Sequence, residues 1–274
     1  MSYQLFSATG CMRCKIVKIF MDTKSIAYEE LDIKSQGKDA FKIFYKNNRP
    51  DIFRGKDGIE FPILFTGEKI FQGVGVIIAF LMDKDKLKGF VTRSDLSHGW
   101  ISGLNLCADS MADGKEFISL LRFLKDQGLM IQLETDGRNP HLLEIILEEK
   151  LIHRLIFTLR GPALLYKNLT GIALNEDDLI KSLSLLNPSF EYQIILPVSL
   201  INRNSKSEDY LTVEEAAMAA GLVEKATKSK KHPFFIEPVV PSEKLGIDPL
   251  PSSAFFKYRT QCRRHMVLCE IKKK

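Results

Sequence analysis

Two cysteines lie two residues apart near the start of the chain, in the stretch Cys11-Met12-Arg13-Cys14. A pair at this spacing can form and break a disulfide, or it can supply half of the ligands of a tetrahedral metal site. A structural zinc site needs four ligands, and the sequence contains no second Cys-x-x-Cys. The spacing therefore favours thiol–disulfide chemistry. Ligation of a metal or an iron–sulfur cluster remains the alternative.

The elements around this pair predict how each cysteine would act. A short strand over residues 3–7 precedes it, and apolar residues at helical spacing predict a helix over residues 14–22. Cys11 is expected at the N-terminus of that helix, where unpaired backbone N–H groups and the helix dipole stabilise a thiolate, and Arg13 adds positive charge. Cys14, one turn further on, is then the resolving thiol that attacks a mixed disulfide on Cys11.

The periodicity of the first 82 residues predicts a βαβαββα succession with the cysteine pair between the first strand and the first helix. This is the layout of the thioredoxin class. The predicted strands cover residues 3–7, 27–33, 61–66 and 69–72, and the predicted helices cover residues 14–22, 38–48 and 74–81.

Three motifs in this region stand in a recognisable order: Cys11-Met12-Arg13-Cys14, Phe61-Pro62-Ile63 and Gly73-Val74-Gly75. On these motifs, residues 1–82 resemble a glutaredoxin. The resemblance implies a thiol–disulfide oxidoreductase with a cis proline beside the nucleophilic cysteine. Glutathione is then a candidate cofactor, and glutathione or a disulfide-containing protein would be the partner. The implied substrate-binding residues are Arg13, Phe61, Pro62, Gly73 and Gly75.

A second region begins after a polar stretch, residues 83–97, which reads as a linker. From residue 98 to residue 274, six predicted strands alternate with helices, a pattern that is typical of a parallel sheet with crossover helices. Six strands are fewer than the eight of a closed barrel, so a partial (β/α) barrel is expected. Two helix starts agree, because Asn139 precedes a proline at the first helical position and Thr212-Val213-Glu214-Glu215 forms a capping box.

Five segments of this region carry a second resemblance: residues 101–103, 133–137, 158–162, 166–171 and 192–198. In order and spacing they resemble the radical S-adenosylmethionine enzymes, particularly the small activating enzymes of glycyl radical proteins. The resemblance implies that the strand ends carry a ligand site, as barrel geometry also expects. The implied barrel residues are Ser102, Gly103, Thr135, Asp136, Gly137 and Arg160.

The motif that holds the iron–sulfur cluster in that family, Cys-x-x-x-Cys-x-x-Cys, does not occur in this sequence. Leu104-Asn105 also stands where the family has Gly-Glu, and Thr158 and Arg160 replace an Asp and a Lys. We therefore expect no iron–sulfur cluster in the barrel, no radical chemistry and no S-adenosylmethionine cofactor. The expected barrel is catalytically degenerate and binds a ligand or a partner. Binding of S-adenosylmethionine without radical chemistry is kept as an alternative.

One further group could bind metal: Cys262, His265 and Cys269, spaced Cys-x-x-His-x-x-x-Cys. The hydropathy alternation around Cys269 is that of a small core residue, so packing is the favoured interpretation and no metal is predicted. Cys107 ends the first strand of the barrel and is expected to be packed or to line the cleft.

Composition and charge argue against nucleic-acid-binding and membrane proteins. The chain has 274 residues with a net charge of +5, and its lysine clusters lack interleaved aromatic residues, so no nucleic-acid partner is expected. No apolar run reaches the roughly 18 residues of a spanning helix, so no membrane partner is expected. An odd number of cysteines, five, fits a reducing compartment, and a cytoplasmic location is predicted. The sequence leaves the oligomeric state open.

Overall fold

The computed structural model describes residues 3–55, 58–83, 86–93, 99–107, 114–171, 174–187, 189–204, 207–243 and 246–273. The chain divides into two compact units. The first contains residues 1–104 and 111–131, and the second contains residues 105–110 and 132–274. This division groups residues 98–104 with the N-terminal region, whereas the sequence analysis counted them with the barrel. The predicted domain boundaries at residues 82 and 98 stay predictions.

The first unit contains a four-stranded mixed sheet with helices connecting its strands. Its strand order is β2-β1-β5-β6, in which β1 pairs parallel with β2 and antiparallel with β5. The strands are β1 (Tyr3–Ser7), β2 (Tyr28–Asp32), β5 (Ile63–Phe65) and β6 (Ile70–Gln72), and the helices are α1 (Met12–Thr23), α2 (Lys38–Asn48) and α3 (Val74–Asp83).

The core of this sheet is aromatic. The Phe6 ring of β1 stacks on the Phe44 ring of α2 with centroids 4.4 Å apart, and both side chains are buried. Because these residues lie on a strand and a helix that face each other, their burial fixes α2 against the sheet. A two-stranded hairpin, β3 (Arg54–Gly55) with β4 (Gly58–Ile59), stands in the connection before β5 and was not predicted.

A six-stranded sheet has the order β14-β13-β10-β9-β8-β7, and its pairings from β8 to β14 are parallel. The predicted alternation of strands and helices is confirmed, and the sheet is consistent with a partial (β/α) barrel. Its strands are β7 (Trp100–Asn105), β8 (Met130–Thr135), β9 (Arg154–Thr158), β10 (Glu191–Val198), β13 (Phe234–Pro238) and β14 (Cys269–Ile271). The helices of this part of the chain are α4 (Lys115–Asp126), α5 (Pro140–Glu148), α6 (Tyr166–Thr170), α7 (Glu176–Ser184), α8 (Val213–Thr227) and α9 (Ala254–Cys262).

A second unpredicted hairpin, β11 (Leu200–Asn204) with β12 (Ser207–Tyr210), follows β10. The helix α6 was also missed. Each of these elements has five residues or fewer, so it carries too little periodicity to be recognised in the sequence.

Helix starts confirm one sequence prediction and correct another. Thr212 and Glu215 form the predicted capping box of α8, with both reciprocal hydrogen bonds present. Asn139 precedes α5, but its side chain makes no capping hydrogen bond. Instead its Nδ2 donates to the Leu106 carbonyl at 2.9 Å. Asn139 thus occupies the predicted position before Pro140, but the predicted side-chain cap is absent because the side chain is turned toward a distant part of the chain.

The predicted linker is packed where the structure describes it. Leu87 and Phe90 are each 2% exposed, and Val91 bridges to Leu104. Residues 84–85 and 94–97 of the predicted linker lie outside the described residues. Among the described helices, none combines the length and the apolarity that crossing a bilayer requires.

Candidate functional site

The cysteine pair lies at the N-terminus of α1, joined as a disulfide between Cys11 and Cys14. Cys11 occupies the position before the first helical residue, and its Sγ accepts a hydrogen bond from the Cys14 N–H at 3.1 Å. Cys11 is half-buried, whereas Cys14 is 2% exposed. The local sequence explains this placement, because Gly10 has a φ of +79° that turns the chain from β1 into α1.

The Phe61-Pro62 segment lies beside Cys11. The peptide bond between Phe61 and Pro62 is cis, as the resemblance implied, and the Phe61 carbonyl oxygen is 4.0 Å from the Cys11 Sγ. Gly73 holds this segment from the other side, because its N–H donates to the Pro62 carbonyl at 3.0 Å. Gly73 has a φ of +93°, a conformation that a residue with a Cβ adopts only under strain.

Arg13, between the two cysteines, forms an ion pair with an acidic residue. Its guanidinium forms an ion pair with the Glu60 carboxylate at 2.8 Å, and the two side chains are only 18% and 14% exposed. The Arg13 charge that was expected to favour a thiolate is therefore partly neutralised. Sequence reasoning missed Glu60, and the signal available was its position directly before the Phe61-Pro62 motif.

Two further residues of the first unit fix the same region. Gln72 is 8% exposed, and its Nε2 donates to the carbonyls of Glu60 and Phe53 at 2.9 and 3.0 Å. Gly75, predicted as a substrate residue, is buried, and a Cβ on it would lie 3.0 Å from the Ile101 side chain. Gly75 thus permits close packing of α3.

The barrel residues implied by the second resemblance are divided between the two units. Ser102 and Gly103 belong to the first unit, where the Thr92 N–H donates to the Gly103 carbonyl at 2.7 Å. A Cβ on Gly103 would lie 2.5 Å from the Thr92 carbonyl oxygen, so this glycine is required by a close backbone approach.

Thr135, Asp136 and Gly137 follow one another at the end of β8 in the second unit, and each is held by internal contacts. The Asp136 carboxylate, which is buried, forms an ion pair with Arg138 at 2.8 Å. The Gly137 carbonyl accepts from the Ser182 hydroxyl at 2.8 Å, and its N–H donates to the Thr135 hydroxyl at 3.2 Å. These contacts give the three residues a structural role, and their role toward a ligand stays a prediction.

Arg160, just beyond β9, stands near a half-buried thiol. Its Nε is buried and has no hydrogen-bond partner among the described residues. Burial, and then the negative charge of Asp136, raise the pKa of Cys107 to about 12, although Arg160 and Arg138 act in the opposite direction. Cys107 is therefore a neutral thiol at physiological pH and a poor nucleophile.

The second unit also has a cavity of about 400 Å³ on one face of its parallel sheet. Its wall is formed by alternate residues of β8, β9, β10 and β13, together with Lys272. Neither resemblance singled out most of these positions, although polar residues alternate with apolar ones along β8, in Ile131-Gln132-Leu133-Glu134. The lining residues are Gln132, Glu134, Arg154, Ile156, Thr158, Gln193, Ile195, Glu237 and Lys272.

The C-terminal cysteines are placed as core residues. Cys262 and Cys269 are both 0% exposed, whereas His265 is directed to Glu224, with Nδ1 and Oε2 2.7 Å apart. Across the residues with described coordinates, no group of three or more His, Cys, Asp or Glu side chains is placed to hold a metal ion. The three side chains are thus not arranged as a set of metal ligands, because the His265 ring is held against the Glu224 carboxylate.

Comparison with known proteins adds little to these observations. No protein-family model and no curated protein matches the chain. Among solved structures, the chain is similar to a domain of pyruvate-formate lyase-activating enzyme from Bacteroides vulgatus ATCC 8482. The match has 14% sequence identity and a TM-score of 0.39, and it covers 63% of this chain and 99% of that chain. The identity and the TM-score are too low to establish a family. The chain is therefore characterised by its own fold, a mixed α/β protein with a six-stranded sheet consistent with a partial (β/α) barrel.

Proposed function

We propose that the first unit is a glutaredoxin-like thiol–disulfide oxidoreductase with a thioredoxin-type sheet. The observation that carries the proposal is the Cys11–Cys14 disulfide at the N-terminus of α1, with the cis Phe61-Pro62 segment 4.0 Å from the Cys11 Sγ. The strand order β2-β1-β5-β6 supports the proposed fold. In the reduced protein, the N-terminus of α1 would stabilise the Cys11 thiolate.

The exposure of the two sulfurs supports separate roles. Cys11 is half-buried, so a substrate disulfide can approach it, whereas the 2% exposed Cys14 is shielded from substrates. The Cys11 thiolate would attack one sulfur of a substrate disulfide, form a mixed disulfide and expel the other substrate sulfur as a thiolate. Cys14, as a thiolate, would then attack the Cys11 sulfur and expel the second substrate thiolate. Two electrons pass to the substrate, and the Cys11–Cys14 disulfide results.

The proposed partner is a disulfide-containing protein or glutathione, and two molecules of a thiol such as glutathione would return the pair to the dithiol. The Phe61-Pro62 segment would pair with an extended substrate backbone. Arg13 is already bound by Glu60 at 2.8 Å, so its guanidinium would meet a substrate carboxylate only in competition with Glu60. This geometry favours a protein partner over one recognised mainly by its carboxylates.

An anaerobic purification followed by thiol counting and metal analysis tests the proposal against its alternative on one sample. We expect one oxidisable dithiol per chain and no stoichiometric metal or iron. Iron or zinc that is released when Cys11 and Cys14 are both changed to Ser would overturn the proposal in favour of a metal or iron–sulfur delivery module.

A second candidate function, ligand binding by the second unit without radical chemistry, is favoured by the cavity on its parallel sheet. S-adenosylmethionine is not part of this proposal, because the cluster motif is absent from the sequence. Calorimetric titration of the full chain with S-adenosylmethionine should show no binding heat. A saturable heat would restore the alternative of a cofactor-binding barrel.

A further inference from the structure

The cavity face of the parallel sheet differs from the face that packs on helices. Parallel sheets are usually covered on both faces, and their strands are then apolar throughout. In β8 and β9, buried residues such as Leu133 and Phe157 instead alternate with half-exposed ones such as Glu134 and Thr158. One face of the sheet therefore lacks an apolar covering within the described part of the chain, and its side chains are largely polar.

Most of the charged groups of this face are already paired. Arg154 forms an ion pair with Glu191 at 2.7 Å, and Lys272 forms one with Glu237 at 2.7 Å. Within each ion pair the positive and the negative charge offset each other. The cavity therefore offers no strong net charge to an ionic ligand.

Four other lining side chains make no hydrogen bond or ion pair with any described residue. They combine a carboxylate, a hydroxyl and two amides, so both donors and acceptors are available. Burial raises the pKa of Glu134, as expected for a carboxylate that has lost water without gaining a hydrogen bond. The four residues are Gln132, Glu134, Thr158 and Gln193.

The register of the sheet places these groups around an apolar centre. Ile156 lies between Glu134 and Gln193 in the paired strands, and Ile195 is opposite Thr158. With strands about 4.8 Å apart, Glu134 and Gln193 are separated by about 10 Å at the backbone, and their side chains can reach inward. Ile195 is only 4% exposed, so the half-exposed Ile156 is the apolar contact surface among these polar groups.

We propose that this cavity binds a neutral monosaccharide. Sugar hydroxyls donate and accept together, which matches amides, a hydroxyl and a carboxylate, and the C–H face of a sugar ring can rest on the half-exposed Ile156. The volume of about 400 Å³ is in the range of small-molecule sites. This inference rests on the ligand-binding part of the proposed function and is independent of the dithiol chemistry.

Saturation-transfer NMR on the full chain tests the inference, with D-glucose, D-galactose and D-ribose as probes. We expect saturation transfer to at least one of these sugars and a loss of at least tenfold in its affinity in Thr158→Val and in Gln193→Leu. Thr260→Val is the matched control, because Thr260 is an exposed residue of α9 that bonds the Phe256 carbonyl. Thermal melts of each variant check that it is folded.

Three outcomes would overturn the inference: no transfer to any of the three sugars, equal affinity in the two cavity variants and the parent, or binding of D-ribose 5-phosphate without binding of D-ribose. The rate of mixed-disulfide reduction is measured on the same samples. If sugar binding fails while that reaction proceeds, this inference fails alone. If Cys11→Ser reduces the disulfide as fast as the parent while a sugar binds, the oxidoreductase proposal fails alone.

Discussion

The chain carries one cysteine pair near each end, and the fold gives the two pairs opposite surroundings. Cys11 stands at the beginning of α1, half-buried, and is joined to Cys14. Cys262 is the last residue of α9, and both it and Cys269 of β14 are free thiols with 0% exposure. A helix N-terminus favours a thiolate, whereas a C-terminus disfavours it.

The surroundings of Cys262 disfavour its thiolate. The hydrogen bond with Cys269, and then burial, raise the pKa of Cys262 well above that of a free cysteine. Both C-terminal thiols are enclosed, so they serve as small apolar side chains. Both pairs are close in sequence, so we expect the position of each cysteine on its helix and its access to solvent to decide its reactivity.

The largest expected effect is on disulfide exchange. Cys11→Ser should slow reduction of a mixed-disulfide substrate by about a thousandfold or more, because no other described cysteine combines a helix N-terminus with exposure. Cys14→Ser should instead trap the mixed disulfide on Cys11, visible by mass spectrometry. Cys107→Ser is the control and should keep the parental rate. Equal rates in Cys11→Ser and the parent would break the comparison.

The next largest effect is expected on the rate at which iodoacetamide alkylates each cysteine of the reduced, folded protein. Cys11 should be modified at least ~100-fold faster than Cys262 or Cys269, because the latter two side chains are fully enclosed. Peptide mass spectrometry gives the rate at each site. In urea that unfolds the chain the rates should converge. Rapid labelling of Cys262 in the folded protein would contradict the core assignment.

Substitution of a C-terminal cysteine should lower the stability of the fold more than substitution of Cys11. Cys262→Ser places a hydroxyl in an apolar site and should lower the free energy of unfolding by about 1–3 kcal/mol. Cys11→Ser should change it by less than about 0.5 kcal/mol, because Cys11 is half-buried. Urea unfolding with a reducing agent measures both variants without the disulfide. Equal losses of unfolding free energy in the two variants would show that the difference in burial has no effect on stability.

The smallest expected effect concerns Glu60, which pairs with Arg13 at 2.8 Å. Glu60→Gln removes a negative charge near the dithiol and leaves the Arg13 charge unopposed by it, so the pKa of Cys11 should fall. Thiolate absorbance against pH, measured in a Cys14→Ser background, reports this pKa. Arg13→Gln alone should raise it, and the double variant should lie between. An unchanged pKa in Glu60→Gln would show that the ion pair has no electrostatic role.

Local sequence signals predicted the regular elements well. The bounds of β1 and α2 agree with their predicted ranges, 3–7 and 38–48, because hydropathy period and flanking turns specify them locally. The short hairpins β3-β4 and β11-β12 were not predicted, since each depends on pairing between few residues. Asn139 lies before α5 as predicted but does not cap it, because its side chain is turned toward Leu106, which is 33 residues away.

The candidate dithiol was predicted more completely than the sheet cavity. Cys11 and Cys14 are adjacent to a helix start in the sequence, and Pro62 belongs to a motif. Glu60 could not be assigned, because 47 residues separate it from Arg13 and only folding brings the two together. The cavity residues come from four strands, so their common face depends on strand order and register.

The sequence by itself determined where the longer helices and strands lie, that a cysteine pair opens α1, and that the later strands form a parallel sheet. These properties follow from periodicity and from residue spacing within single elements. The tertiary structure decided that Glu60 holds Arg13, that Cys262 and Cys269 are enclosed, and that four polar side chains face one cavity. Such properties depend on contacts between residues that are distant in the sequence. Strand register and contacts between core side chains are fixed only when the whole chain packs.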